Sequence, residues 1–114
     1  MLTSGDVVLV DLGVPTGHEA GFPRPAVVIT AQRVLDHDPT VVQVVPLTST
    51  LRGYESEVTL APDAANGLER ASAAQCQHLR SLSRGRIAQR RGTLGAADLA
   101  AVRDTVAALL DLPL

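Results

Sequence analysis

At 114 residues the chain is predicted to form a single domain over residues 1–114, and folding at this size buries roughly 65% of the unfolded surface. A hydrophobic fraction of 46% and a mean hydropathy of +0.17 exclude a wholly disordered chain. No apolar run reaches ~18 residues, so we expect no membrane span. The N-terminus lacks a basic leader segment, and a single cysteine excludes an internal disulfide. We therefore expect a cytoplasmic protein.

The net charge of −2 argues against nucleic acid as a partner, but the charges are unevenly distributed. Residues 1–69 carry a balance of −6, whereas residues 70–91 carry six arginines and no acid. All ten cationic side chains of the protein are arginines, whose planar guanidinium suits phosphate groups. Within this segment, the stretch of residues 80–91 is either a solvated face that balances the acidic half or a track for the backbone of RNA.

The first 67 residues predict four short strands separated by loops and turns. The strands are residues 6–12, 26–30, 41–45 and 57–60, and Pro46 is expected to end the third. Residues 13–25 contain three glycines and three prolines and are predicted to be a loop, and residues 63–67 a turn.

The second half predicts two further strands, at residues 71–82 and 87–90, and then a helix. Apolar residues recur there at helical spacing, with Gly95 as the N-cap and Asp98 at the third helical position. Five or six short strands followed by one amphipathic helix indicate a mainly β protein with a C-terminal helix, built as a small barrel. The apolar residues of the helical pattern are Leu99, Val102, Val106, Leu109 and Leu110.

Two stretches carry polar groups that could do chemistry. Gly17–Pro25 places His18, Glu19 and Arg24 in a stiff loop next to a buried strand, although a surface loop with a local Glu19–Arg24 ion pair is the alternative. Thr48, Ser49 and Thr50 follow Pro46, where hydroxyl groups also commonly form a strand-exit turn. The three histidines are scattered along the sequence, so we expect no metal site and no cofactor.

Taken in order, several short pieces of the sequence resemble the MazF/PemK/Kid-type toxins of type II toxin–antitoxin modules. No single piece is strongly diagnostic, but the ordered set covers nearly the whole chain. The pieces are Gly5-Asp6-Val7, Gly17-His18-Glu19, Arg24-Pro25-Ala26-Val27-Val28, Val45-Pro46-Leu47-Thr48, Gly53-Tyr54 and Arg80-Ser81-Leu82, with the closing helix.

The resemblance implies a small SH3-like β-barrel that acts as a homodimer. It implies a metal-independent endoribonuclease that cuts single-stranded messenger, ribosomal or transfer RNA, and an antitoxin that blocks the RNA site with an extended tail. The family's catalytic Arg and Thr fall on Arg24 and Thr48, with Glu19 and His18 as further catalytic candidates. We assign RNA binding to Ser49, Arg52, Gln77, Arg80, Arg84 and Arg86.

The sequence departs from the Kid branch, which uses an Arg and an Asp two residues apart for acid–base work, because those positions here are Gln75 and Gln77. In RNA cleavage the 2′-hydroxyl is the nucleophile, and a fixed guanidinium such as that of Arg24 stabilises the charge that develops on the phosphate. An unperturbed hydroxyl is too weak to be the base, which leaves His18 or Glu19 for that role.

Two alternatives fit the same barrel. A gyrase-poisoning toxin of the CcdB type would act by binding a protein partner and would not need Arg24 or Thr48. A catalytically inactive barrel that binds RNA or protein is also consistent with glutamines at positions 75 and 77.

Overall fold

The computed structural model describes residues 1–21 and 23–113, so Phe22 of the predicted loop and Leu114 at the C-terminus lie outside the described residues. It confirms a mainly β chain with a C-terminal helix. One-turn 3₁₀ helices lie at Cys76–His78 and Arg84–Arg86. The strands are β1 (Asp6–Asp11), β2 (Pro23–Val28), β3 (Val41–Thr48), β4 (Glu57–Leu60), β5 (Ser72–Gln75), β6 (Arg80–Ser83) and β7 (Ile87–Thr93), and the helices are α1 (Gln32–Leu35) and α2 (Ala96–Leu109).

The strands form one antiparallel sheet in the order β4-β5-β3-β2-β1-β7, with β6 also paired to β3. Over the described residues, β4 and β7 remain the two ends of this order, so the barrel is not fully closed. The central strand β3 pairs with β2, β5 and β6, and it therefore ties the two halves of the sheet together.

Strand β3 runs through Pro46 to Thr48, so the prediction that Pro46 ends this strand was wrong. The Ile29 amide donates to the Gln43 carbonyl, so Ile29, just after β2, and Gln43 of β3 form a hydrogen-bonded pair. Hydrogen-bonded and non-hydrogen-bonded pairs alternate along an antiparallel ladder, which makes Ala26 and Pro46 a non-hydrogen-bonded pair. The Pro46 nitrogen consequently faces away from β2, towards the gap between the pairings with β6 and β5. No ladder hydrogen bond is lost there, which is why the strand tolerates a proline.

Other parts of the secondary structure also differ from the sequence prediction. Strand β2 begins at Pro23 rather than Ala26, because residues 23–25 pair only with β1 and an edge tolerates proline. The single strand predicted over 71–82 is broken by the turn at Cys76–His78 into β5 and β6. The short helix α1 was not predicted, whereas Gly95 does precede the first residue of α2.

Both faces of the central strands are buried, which explains their continuous runs of valine. One face packs against Val102 and Val106 of α2, and the opposite face packs against Leu12, Ala20 and Leu35. In residues 1–21 and 23–113 no helix combines the length and apolarity that crossing a bilayer requires.

Candidate active site

A hollow of about 560 Å³ lies where the ends of β2, β3 and β5 meet. Its floor comes from these strands, and its walls come from β4, the loop before β2, the loop after β3 and the turn after β5. The hollow brings together six of the residues predicted to act in catalysis or RNA binding. Its lining is His18, Glu19, Ala20, Arg24, Thr48, Thr50, Arg52, Tyr54, Glu57, Gln75, Gln77 and His78.

Arg24 is held in the floor by two neighbours. Its Nε donates to the Gly21 carbonyl at 3.2 Å, and its Nη1 donates to Oε1 of Gln75 at 3.1 Å. Gln75 is only 5% exposed, so it is a fixed partner. These contacts use two of the five N–H donors of the guanidinium, which leaves donors for a bound anion.

Thr48 lies on the same face of the sheet as Arg24. The β2–β3 ladder ends at Ala26 opposite Pro46, and extending that register by two residues brings Arg24 opposite Thr48. The Thr48 hydroxyl oxygen accepts a hydrogen bond from the Thr50 amide at 3.2 Å. Because this contact uses the oxygen as an acceptor, the hydroxyl proton remains available to a ligand.

A carboxylate and an amide form the opposite wall of the hollow. Gln77 Nε2 donates to Oε2 of Glu57 at 2.7 Å. The other oxygen of Glu57 is buried, and the described residues provide it with no hydrogen-bond partner. Glu57 was not identified as a site residue from the sequence. It reaches the hollow because it lies directly opposite Gln75 in the pairing of β4 with β5.

His78 ends the turn after β5 and is half-buried in the wall of the hollow. Burial, followed by the positive charge of Arg24, lowers the pKa of His78 below its usual value, although Glu57 and Glu19 act in the opposite direction. The imidazole is therefore neutral at pH 7. By contrast, His18 and Glu19 are exposed side chains on the loop before β2.

The remaining predicted RNA-binding residues lie outside the hollow. Arg80 lines an adjoining hollow of about 350 Å³ and donates to the Leu12 carbonyl at 3.3 Å. Ser49 lines a separate hollow of about 180 Å³. Arg84 pairs with Asp38, and Arg86 Nη1 donates to the Asp11 carbonyl at 3.4 Å. The structure therefore distributes the basic segment over several sites.

Residues 1–21 and 23–113 contain no group of three or more His, Cys, Asp or Glu side chains placed to share a metal ion.

Comparison with known proteins gives a consistent family assignment. Residues 3–110 match the family model of the PemK-like, MazF-like toxins of type II toxin–antitoxin systems. The endoribonuclease MazF9 of Mycobacterium tuberculosis (strain ATCC 25618 / H37Rv) is 32% identical over 117 residues, which covers 98% of each chain.

Solved structures agree with this assignment. The crystal structure of MazF (Form-I) from Deinococcus radiodurans has 33% identity and a TM-score of 0.79, and 96% of each chain is covered. The crystal structure of MazE-MazF (Form-II) from the same organism has 32% identity and a TM-score of 0.74, also with 96% of each chain covered. The chain therefore belongs to the family of PemK-like, MazF-like toxins of type II toxin–antitoxin systems.

Proposed function

We propose that this toxin is a metal-independent endoribonuclease that cuts single-stranded RNA. The observation that carries the proposal is the placement of the Arg24 guanidinium and the Thr48 hydroxyl on one face of a single open hollow. The similarity to a curated endoribonuclease supports the same activity. The hollow is open to solvent, and its volume of about 560 Å³ is typical of ligand-binding clefts.

The chemistry follows from the charge that develops during cleavage. The 2′-oxygen of the RNA attacks the adjacent phosphorus, the bond from phosphorus to the 5′-oxygen breaks, and the proton of the 2′-hydroxyl passes to a base. The remaining N–H donors of Arg24 stabilise the extra negative charge on the phosphoryl oxygens, and the Thr48 hydroxyl donates to one of them. After the 5′-oxygen takes up a proton, the products are a 2′,3′-cyclic phosphate and a 5′-hydroxyl end.

The wall residues would contact the RNA on either side of the cut. Arg52 lies on the exposed loop after β3 and presents a guanidinium to the same hollow. Gln77 and Glu57 present amide and carboxylate groups, which suit the edges of unpaired bases. Arg80 extends the charged surface into the adjoining hollow.

We further propose that the protein acts in the cytoplasm as a homodimer and is inhibited by a cognate antitoxin. The related MazF from D. radiodurans has been crystallised together with MazE. An extended antitoxin tail with acidic residues would fit a hollow that contains Arg24 and Arg52, and it would thereby exclude RNA.

The test is cleavage of single-stranded RNA by the purified protein in EDTA. Arg24→Ala should lower the rate about 100- to 1,000-fold, because it removes a fixed donor to the developing charge. Thr48→Ala should lower it about 10- to 100-fold, since it removes one hydrogen bond to the phosphate. The matched controls are Arg33→Ala and Thr59→Ala, which change exposed residues outside the hollow and should keep wild-type rates.

Other outcomes would favour the alternatives. Intact RNA together with trapped gyrase–DNA complexes would indicate a gyrase poison. Binding of RNA without cleavage, unchanged by Arg24→Ala, would indicate an inactive binding barrel.

A further inference from the structure

His78 is held on a rigid part of the molecule. It is the last residue of the turn Cys76–His78, in which the Leu79 amide donates to the Cys76 carbonyl at 3.1 Å. The turn is also anchored to the start of β4, because the Cys76 amide donates at 3.1 Å to the carbonyl of Ser56, the residue just before that strand. These hydrogen bonds fix the backbone from which the His78 side chain extends.

The imidazole faces charged groups from every element around it. Arg24 on β2, Arg52 on the loop after β3 and Glu57 on β4 approach it from the main hollow. Glu19 and Arg80 line the adjoining hollow, to which His78 also contributes. Burial and the arginines outweigh the two carboxylates, and they therefore favour the neutral form of His78.

A neutral imidazole beside the phosphate-binding group is the state that a general base requires. The carboxylate of Glu57 is already hydrogen-bonded to Gln77, and His18 and Glu19 are exposed side chains on the loop before β2. We propose, on the basis of the function proposed above, that His78 is the general base that accepts the proton of the RNA 2′-hydroxyl. Sequence reasoning had left this role open between His18 and Glu19.

The step is balanced without any further reactant. One ring nitrogen of His78 accepts the proton as the bond between the 2′-oxygen and phosphorus forms. As the bond from phosphorus to the 5′-oxygen breaks, the leaving oxygen takes a proton from the water that fills the open hollow. The imidazolium then releases its proton to solvent, and the enzyme is restored.

The experiment compares wild type, His78→Gln and His37→Gln in single-turnover cleavage between pH 5 and 8. The enzyme is in excess over RNA but well below saturation, so that the rate reports the protonation state of the free protein. The wild-type rate should rise with pH as His78 loses its proton and should be constant by pH 7. Because the pKa of His78 is lowered, this rise should occur at a lower pH than the usual titration of histidine. His78→Gln should lose about 100-fold at pH 7, together with the rise at low pH. His37 is exposed and lies outside the hollow, so His37→Gln should behave as wild type.

A second substrate separates a base from an acid. RNA with sulfur in place of the bridging 5′-oxygen has a leaving group that needs no protonation. His78→Gln should remain slow on it if His78 is the base, whereas recovery of the rate would assign His78 as the acid and overturn the inference.

A third measurement needs no variant. The titration of His78, followed by NMR in the wild-type protein, should coincide with the rise of the pH–rate profile, and a clear mismatch would overturn the inference. Equal rates for His78→Gln and wild type would also overturn it and leave the proposed nuclease intact. A wild-type protein that cuts no RNA would instead remove the proposed function, and this inference with it.

Discussion

Gln75 is a buried polar side chain whose observed role is to hold Arg24. Its Oε1 accepts from the guanidinium at 3.1 Å, and the residue is 5% exposed. A hydrogen bond to a charged group contributes about 1.5–3 kcal/mol. We therefore expect Gln75 to act as a positioning residue for the Arg24 guanidinium.

Gln75→Met tests this role, because methionine has a similar shape but accepts no strong hydrogen bond. We expect the rate constant for RNA cleavage to fall about 10- to 100-fold, since Arg24 loses its fixed orientation. The free energy of unfolding should fall by no more than about 1.5–3 kcal/mol, because the lost hydrogen bond is partly offset by an apolar side chain in a buried site. Gln89→Met, on the exposed part of β7, is the matched control. A wild-type rate for Gln75→Met would show that Gln75 does not orient the guanidinium.

At this scale the sequence predicted six of the residues that line the hollow, two on its floor and four on its walls. Arg24 and Thr48 were identified from short motifs, and the register of β2 and β3 explains why they meet. Glu57 and His78 were missed, because their place in the site depends on pairing between β4 and β5 and on a turn within a predicted strand. Such contacts between distant residues leave no periodic pattern in the sequence.

At the scale of elements, β7 and the loop before β5 fit together closely. The Thr93 amide donates to the Ala65 carbonyl at 2.9 Å. A Cβ at Gly92 would lie 2.4 Å from that same carbonyl oxygen, and backbone atoms cannot move aside easily. Gly95, just before α2, has no heavy atom within 4 Å of the corresponding position.

Adding a Cβ at these two glycines should therefore have opposite effects. Gly92→Ala should lower the free energy of unfolding by about 2 kcal/mol, because β7 must separate from the loop. Gly95→Ser should raise it by a few tenths of a kcal/mol, since a serine N-cap accepts a hydrogen bond from the first turn of the helix. Urea denaturation measures both, and equal effects would contradict the close approach at Gly92.

The elements also show where local sequence patterns fail. The β-branched runs and the helical spacing correctly indicated β1, β4 and α2. Pro25 was assigned to a loop and Pro46 to the end of a strand, but Pro25 lies where β2 is an edge and Pro46 lies where β3 changes partners. Whether a proline is tolerated depends on which neighbour its nitrogen faces, and that is decided by tertiary pairing.

At the scale of the whole molecule, the arginines of the basic segment do not form one track. Arg84 is paired with Asp38, and Arg90 Nε lies 3.1 Å from Oδ1 of the buried Asp6. The cations at the main and adjoining hollows are Arg24, Arg52 and Arg80. Affinity for RNA should thus depend on a few contacts despite the six arginines between residues 70 and 91.

Salt dependence measures this difference. With about three phosphate contacts, a plot of log affinity against log salt concentration should have a slope of about −2 for single-stranded RNA, whereas six contacts would give about −4. Fluorescence anisotropy with an uncleavable 2′-deoxy substrate provides the affinities. A slope of log affinity against log salt of about −4 or steeper would indicate instead that the arginines of the basic segment bind RNA together as one continuous surface.

The division of the site between strands and loops has a consequence for how such toxins diversify. Arg24, Thr48 and Gln75 lie on paired strands, while His18, Glu19, Arg52 and Tyr54 lie on exposed loops. Insertions or exchanges in those loops reshape the entrance without altering the spacing of the reacting groups. We therefore expect that grafting loops between relatives would give ribonucleases that cut at new recognition sequences with the same reacting groups.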